Sequence, residues 1–131
     1  MTETQIDWRL FCSKWLGSWT GNNPEALLEF YTEDAFYLDP AYPTGLKGHE
    51  ELLNYFGKLL HRNPNWKWEA LEIFNTDNGF TLKWRATIPV KDATVILQGL
   101  DIVEMRDHRI SRNEVYFDRV KWLDLMKAGS L

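Results

Sequence analysis

An aspartate and a tyrosine two residues apart carry the clearest chemical signal in the sequence. Tyr37 and Asp39 end a short segment that begins at Ala35 and is typical of a β-strand. Successive side chains of a strand point to opposite faces, so Tyr37 and Asp39 share one face. Burial raises the pKa of a carboxyl group, which makes Asp39 a candidate general base at neutral pH. The alternative is structural, because Asp39 precedes Pro40 and could cap the turn that follows.

A second carboxylate, Asp101, lies in a predicted strand that is apolar on both faces. We therefore expect Asp101 to be buried, and a buried carboxylate must be paired, protonated or hydrogen-bonded. Asp101 is then either a second catalytic group in a pocket or the ion-pair partner of Arg85, Arg109 or Arg112 on a neighbouring strand.

The predicted last strand, residues 109–118, adds a third candidate carboxylate. Tyr116 and Asp118 have the same parity and so share a face of this strand. That face is either a pocket wall, with Asp118 as a catalytic acid or base and Tyr116 as a ligand contact, or a solvated edge. Val115 and Phe117 occupy the opposite face, which we interpret as core or dimer contact.

Bulky aromatic residues supply apolar surroundings for these groups. The chain has seven Trp, and aromatic residues make up 15% of it. Taken singly, each Trp is more often part of a core, but their number favours a large flat ligand or a dimer interface. The residues predicted to contact a ligand are Tyr37, Trp15, Trp19, Phe56, Trp84 and Tyr116.

Helical periodicity dominates the first half of the chain. A first helix is predicted over residues 3–20, with capping-box spacing at Thr2 and Gln5 and an end near Gly21. A second helix starts at Asn23-Pro24 and stops by Thr32. A third helix follows Gly48 and ends before Asn63.

Strand patterns dominate the second half. After the short strand at 35–39, the predicted strands are residues 66–75, 80–88, 94–106 and 109–118. The stretch 40–45 is predicted to be irregular, because its two prolines remove backbone donors. The tail after residue 118 could form one more helical turn.

Three helices followed by a run of strands predict an α+β fold, in one domain over residues 1–131. We expect a curved, mainly antiparallel sheet wrapped around the three N-terminal helices. Such an arrangement leaves an internal pocket open at one end, and pockets of this kind hold small ligands.

Composition excludes several classes of function. The formal net charge is -4 and the basic residues are scattered, which argues against nucleic acid and against anionic membrane surfaces. No apolar stretch is long enough for a membrane helix, and charges interrupt the N-terminal pattern, which is not that of a signal peptide. Cys12 is the only cysteine, so a reducing cytoplasm is the expected location. No His or Cys spacing fits a metal site, no phosphate-binding loop is present, and we expect no cofactor.

Two stretches of the sequence resemble a known superfamily. Residues 30–40, followed by Gly45 and Gly48-His49-Glu50, are similar to the opening of SnoaL-like polyketide cyclases and ketosteroid isomerases. Residues 110–118 are similar to the end of the same proteins. The resemblance implies the cone-shaped fold of the nuclear-transport-factor-2-like superfamily, which hosts isomerases, cyclases, dehydratases and non-catalytic binders.

The resemblance also implies roles for individual residues. Asp39 falls where the isomerases keep the carboxylate that removes a proton, and Asp101 where they keep a protonated acid that binds the oxyanion. Trp15 stands where they keep an oxyanion-binding tyrosine. An indole N–H can donate a hydrogen bond but cannot act as a phenol does, and this difference argues against steroid isomerisation. Asp118 falls near an acid/base carboxylate of the cyclases and epoxide hydrolases, and Tyr37 matches a positioning tyrosine of the hydrolases.

The epoxide hydrolases of this superfamily place an Arg–Asp pair on one strand. Here Trp84 and Ala86 stand at those positions, which argues against epoxide hydrolysis. Two functions from different classes remain. One is an isomerase-, cyclase- or dehydratase-type enzyme in which a pocket carboxylate acts as general acid/base on a small apolar carbonyl compound. The other is a non-catalytic domain that binds a small ligand or a protein.

The expected partners are a small apolar, polyketide- or steroid-like molecule and a second copy of the chain. A homodimer through the sheet is predicted because strands that are apolar on both faces cannot leave one face in water. A domain whose sheet face only mediates assembly is a third, weaker interpretation.

Overall fold

A computed structural model describes residues 6–129 of the chain. Along the chain its elements are α1 (Arg9–Gly17), α2 (Pro24–Leu28), β1 (Tyr31–Asp39), β2 (Tyr42–Lys47), α3 (His49–Arg62), β3 (Lys67–Asn75), β4 (Gly79–Val90), β5 (Ala93–Arg106), β6 (Arg109–Tyr116) and α4 (Val120–Gly129). Helices segregated from one large sheet confirm the predicted α+β class.

The sheet has six strands in the order β2-β1-β6-β5-β4-β3. Only β1 and β6 pair in parallel, and every other neighbouring pair is antiparallel. Strands β2 and β3 remain edges, so the sheet curls without closing into a barrel. The predicted curved, mainly antiparallel sheet is therefore confirmed.

The helices cover the inner face of the curled sheet. Helix α1 contacts β3, α3 contacts β1 and β2, and α4 contacts β4, while α2 packs on α3. The largest side chains without solvent exposure come from both layers and include Trp15, Phe56, Phe80 and Trp84. Burial of these aromatic groups stabilises the packing of the helices on the sheet.

The first strand is longer than predicted. Helix α2 ends at Leu28, and β1 begins at Tyr31 instead of Ala35. Tyr31 pairs in parallel with Ile110 of β6, and this long-range ladder draws the segment into the sheet.

The prediction that residues 40–45 are irregular is wrong, because Tyr42–Lys47 forms β2. Strand β2 lies at the edge of the sheet, where a proline such as Pro43 is tolerated. Gly45 has φ +91°, and a Cβ at this position would overlap the ring of Phe36. A glycine is therefore required at this position of β2, which pairs with β1 beside Phe36.

The first helix is shorter than predicted and begins at Arg9. The capping box at Thr2 and Gln5 lies outside the described residues. The predicted start of the second helix is confirmed, because Asn23 accepts a hydrogen bond from the backbone N–H of Ala26 at 3.2 Å. The tail forms a longer helix than the single predicted turn, which is α4. Within the described part of the chain, none of the helices combines the length and apolarity that crossing a membrane demands.

A bulge in β6 changes which side chains face inward. Glu104 of β5 pairs with Arg112 and Met105 pairs with Ile110, so Ser111 is left over in the ladder. Ile110 is buried, and beyond the bulge the buried positions are Asn113 and Val115. The parity of the strand therefore shifts by one residue at Ser111.

Candidate functional site

A cavity of about 700 Å³ lies between the sheet and helices α1, α3 and α4. Five of the residues predicted to act on a ligand line it, namely Asp39, Asp101, Tyr37, Trp19 and Trp84. The other lining residues are Leu16, Pro40, Ala41, Tyr42, Tyr55, Lys58, Leu59, Arg62, Asn63, Trp66, Trp68, Val115, Phe117, Arg119, Trp122 and Met126. Two carboxylates thus share one mainly apolar cavity.

The carboxylate of Asp39 accepts four hydrogen bonds. The hydroxyl groups of Tyr37 and Tyr55 donate to its Oδ2 atom at 2.7 and 2.5 Å. The backbone N–H groups of Ala41 and Tyr42 donate to its Oδ1 atom at 2.8 and 3.2 Å. Asp39 is only 7% exposed, so protein donors take the place of water around it. The structural interpretation of Asp39 is confirmed, since one oxygen caps the turn, and the residue also lines the cavity, as its functional interpretation requires.

The two tyrosines beside Asp39 keep their protons. Burial raises the pKa of Tyr37 well above its usual value, and the negative charge of Asp39 raises it further. Burial and the same charge also raise the pKa of Tyr55. Because both hydroxyl groups stay protonated, they remain hydrogen-bond donors to the carboxylate of Asp39.

The prediction that Asp101 is buried and hydrogen-bonded is confirmed. Asp101 is 5% exposed. Its Oδ1 atom accepts a hydrogen bond from Trp84 Nε1 at 2.8 Å, and its Oδ2 atom accepts one from Asn113 Nδ2 at 3.2 Å. Arg85 and Arg112 pair with other acids, so the alternative of an ion pair with either of them is wrong.

The environment of Asp101 favours its protonated form. Burial, the largest cause, and the negative charge of Asp39 together raise the pKa of this carboxyl group to about 7, against the lowering effect of its hydrogen bonds from Trp84 and Asn113. Asp101 therefore exchanges a proton close to neutral pH, whereas Asp39 lies among four donors. Unequal environments of two nearby carboxylates are typical of acid–base pairs.

A buried chain of hydrogen bonds that starts at Trp15 holds Asp101 in position. Trp15 Nε1 donates to the hydroxyl of Tyr31 at 3.3 Å, and that hydroxyl donates to Asn113 Oδ1 at 2.9 Å. Because Asn113 Oδ1 accepts from Tyr31, its Nδ2 group is the one that faces Asp101. Trp15, predicted to contact a ligand, belongs to this chain and does not line the cavity.

Removal of one hydroxyl group from this chain is expected to destabilise the fold. Tyr31→Phe leaves the buried Trp15 N–H and Asn113 carbonyl without their partner, which costs about 2 kcal/mol in the free energy of unfolding. Urea denaturation measures this loss. Tyr116→Phe is the matched control, because the Tyr116 hydroxyl is exposed and bonds only Glu114. Equal stability of the two variants would contradict the role of the chain.

Aromatic side chains form most of the cavity wall. Trp19, Trp66, Trp68 and Trp84 line it. The ring of Trp68 contacts the other three, with centroid distances of 6.4 Å to Trp19, 5.9 Å to Trp66 and 4.9 Å to Trp84. Phe56, a predicted ligand contact, lies behind the wall against Trp19 at 5.1 Å. The wall therefore offers flat apolar surfaces to a ligand.

One polar atom of this wall has no partner. Among the residues that the structure describes, the Nε1 atom of Trp68 is buried without a hydrogen-bond acceptor. A buried donor without an acceptor destabilises the folded protein, and a ligand that supplies an acceptor would remove this cost.

Tyr116 and Asp118 lie outside the cavity. Tyr116 is 48% exposed, and Asp118 is exposed and accepts the backbone N–H of Val120 at the start of α4. Val115 and Phe117 line the cavity instead. The reason is the bulge at Ser111, which exchanges the inner and outer faces of the end of β6.

Of the side chains that hydrogen-bond Asp39 or Asp101, two were not predicted from the sequence, Tyr55 and Asn113. A signal for Tyr55 exists, because it shares one helical face with Lys58, Leu59 and Arg62, and all four line the cavity. Asn113 could not be found in this way, because the parity shift at Ser111 hides its inward position.

Comparisons with known proteins agree with this architecture. A family model described as "SnoaL-like domain" matches residues 13–113. No curated protein matches the chain. A hypothetical protein from Catenulispora acidiphila with a ketosteroid isomerase-like fold, solved with trimethylamine, has a TM-score of 0.77 and 18% identity over 88% of this chain and 90% of its own.

Two further structures share the fold. TerC, co-crystallised with polyporic acid, has a TM-score of 0.72 and 16% identity, and the match covers 88% of this chain and 94% of TerC. A SnoaL-like protein of unknown function from Burkholderia thailandensis has a TM-score of 0.71 and 19% identity, over 89% of this chain and 99% of its own. These likenesses establish the nuclear-transport-factor-2-like fold, and the matching family model shows that the chain belongs to the SnoaL-like domain family.

Proposed function

We propose that the protein is an acid–base enzyme that acts on a small, largely apolar carbonyl compound, of the isomerase, cyclase or dehydratase type. The observation that carries this proposal is the presence of two carboxylates with unlike surroundings in one apolar cavity. Asp39 has four donors, two of them phenols, whereas Asp101 is buried with two N–H donors.

In the proposed reaction Asp39 and Asp101 act on the two ends of an enolising group. Asp39 takes a proton from the carbon next to the carbonyl, and the electron pair moves onto the carbonyl oxygen. Protonated Asp101 donates a hydrogen bond to that oxygen as its charge develops. Return of the proton to another carbon completes an isomerisation, attack on a second carbonyl forms a ring, and loss of a neighbouring hydroxide gives a dehydration.

Access of a substrate to Asp39 requires one donor to leave its Oδ2 atom. Tyr55 is the less buried of the two tyrosines and is the one we expect to be displaced. Trp68 Nε1, which lacks an acceptor, offers a further hydrogen bond to a polar group of the substrate. A neighbour of the same fold was crystallised with polyporic acid, which supports a small organic ligand for this cavity.

Enolisation can be tested without knowledge of the natural substrate. The flat ketone α-tetralone exchanges the hydrogens next to its carbonyl with D₂O, and proton NMR follows their loss. We expect the protein to accelerate this exchange at catalytic concentrations, with saturation at high ketone. A rate equal to that of buffer with the same concentration of free aspartate would contradict the proposal.

A non-catalytic ligand-binding domain is the second candidate function. It is favoured by the hydrogen bonds of Asp39, since four donors occupy both of its oxygens and a substrate must displace one of them to reach the carboxylate. Binding of α-tetralone without exchange would favour this candidate over the enzyme.

We also propose that the chain forms a homodimer through the outer face of the sheet. Ile96 and Leu100 of β5 and Tyr116 of β6 are 57%, 44% and 48% exposed on this face, and Leu100 pairs with Tyr116. Sedimentation at tens of micromolar is expected to give about twice the chain mass of 15.5 kDa. Leu100→Glu should shift the protein to monomer, whereas Leu10→Glu, at a 67% exposed apolar position on α1 away from this face, should not. A monomeric native chain would contradict this assembly.

A further inference from the structure

Three basic side chains line the cavity near solvent. Lys58 and Arg62 are exposed and lie four residues apart on one face of α3, while half-buried Arg119 precedes α4. The basic side chains therefore lie at the mouth of the cavity, whereas Asp101 lies in its buried part. We call Lys58, Arg62 and Arg119 the basic rim of the cavity.

The basic rim has no acidic partner within residues 6–129. Of the seven arginines in the chain, Arg9, Arg85, Arg106 and Arg112 form ion pairs, and the remaining ones are Arg62, Arg109 and Arg119. Two of the three unpaired arginines therefore lie at the cavity, in a chain whose net charge is -4.

The carboxylates of the cavity do not neutralise this rim. Both oxygens of Asp39 are occupied by hydroxyl and backbone donors, and both oxygens of Asp101 by side-chain N–H groups. Neither forms an ion pair with a described basic residue. The guanidinium groups of Arg62 and Arg119 thus keep donors for a ligand.

We propose that the ligand of this cavity is a flat, mainly apolar molecule with one acidic group, which the basic rim holds at the mouth. Guanidinium groups bind carboxylates through paired hydrogen bonds, and the tryptophan wall accommodates the apolar rings. This substrate class rests on the proposed function of the cavity as the reaction site. It gives the ligand one orientation, with the acid near solvent and its carbonyl end toward Asp101.

Calorimetric titration with two matched probes tests this assignment. Anthraquinone carboxylate and the corresponding carboxamide have the same rings, but only the first is charged at pH 6, where Asp101 is mostly protonated. We expect the carboxylate to bind about tenfold more tightly, because only it forms charge-assisted bonds with the rim. Higher salt should weaken binding of the carboxylate and leave that of the carboxamide nearly unchanged.

Two double variants test whether the basic rim causes the tighter binding of the carboxylate. In Arg62→Gln/Arg119→Gln the tenfold advantage of the carboxylate should be lost, while the carboxamide binds as before. The control Lys14→Gln/Arg109→Gln removes the same charge at exposed positions away from the cavity and should keep the advantage. Thermal melting checks that both variants are folded.

Equal affinity of the native protein for the two probes would overturn the acidic substrate class and leave the proposed chemistry standing. An equal loss of the advantage in the control would overturn the assignment to the rim. Absence of binding by either probe would also overturn it, and exchange of α-tetralone would still report on the proposed function separately.

Discussion

In an Asp39→Asn variant, the protein-catalysed exchange of α-tetralone is expected to fall by about two orders of magnitude or more. The amide keeps the size of the side chain and can still pair with the tyrosine hydroxyls and with Ala41, but it cannot accept the proton. Binding of the ketone should change little, because the aromatic wall is untouched. Deuterium incorporation against ketone concentration separates the two effects.

Asp118→Asn is the matched control for this experiment. Asp118 is the same residue type, is exposed, and caps the start of α4 outside the cavity. Its replacement should leave exchange unchanged. A loss in Asp118→Asn with full activity in Asp39→Asn would return the catalytic role to Asp118, the acid that strand parity and the family resemblance suggested. Loss of binding in Asp39→Asn, without a separate loss of turnover, would favour the non-catalytic candidate.

Strand parity was a sound guide within β1, although the pairing of β1 with β2 shifts register between Tyr37 and Asp39. It placed Tyr37 and Asp39 on one face, and their side chains do meet at 2.7 Å. Burial of Asp101 was predicted because its strand is apolar on both faces, and the structure buries this side chain at the cavity. The helices were found from periodicity, and their apolar faces had no surface to cover except the inner face of the sheet.

The same rule failed on β6 because one extra residue reverses every side chain beyond it. Ser111 is neither glycine nor proline, so nothing local marks the bulge. The hydrogen bond between Tyr31 and Asn113 joins residues 82 positions apart, and no periodicity predicts such a pair. The number of tryptophans indicated a cavity. Which tryptophans line the cavity, which lie in the core and which join the hydrogen-bonded chain of Trp15 depends on how α1 packs on the sheet, and the sequence does not show this.

The second large effect is expected in Asp101→Asn, whose exchange activity at pH 6 should fall by up to about a hundredfold, the cost of losing an oxyanion donor, because an amide N–H is a much weaker donor to an oxyanion than a carboxyl O–H. In the native protein, activity should decline above about pH 7 as Asp101 loses its proton. The groups whose charges act on or respond to Asp101 are Asp39, Tyr31 and Cys12, and burial raises the pKa values of Tyr31 and Cys12. The variant should lack this decline, because its amide does not ionise. A decline that persists in Asp101→Asn would assign it to another group.

Stability provides a test of Asp101 that needs no substrate. Its pKa is about 7 in the folded protein against an ordinary value of 3.8, so the folded state holds this proton over a range where the unfolded state has released it. The free energy of unfolding should therefore fall as pH rises from about 4 to about 7 and level off above, by an amount on the order of 3 kcal/mol. Other acids contribute to the pH profile of both proteins, so the quantity to measure is the native profile minus that of Asp101→Asn, from urea denaturation at several pH values. A difference that is flat between pH 4 and 7 would show that Asp101 ionises as an ordinary aspartate, and it could not then serve as the neutral acid of the cavity.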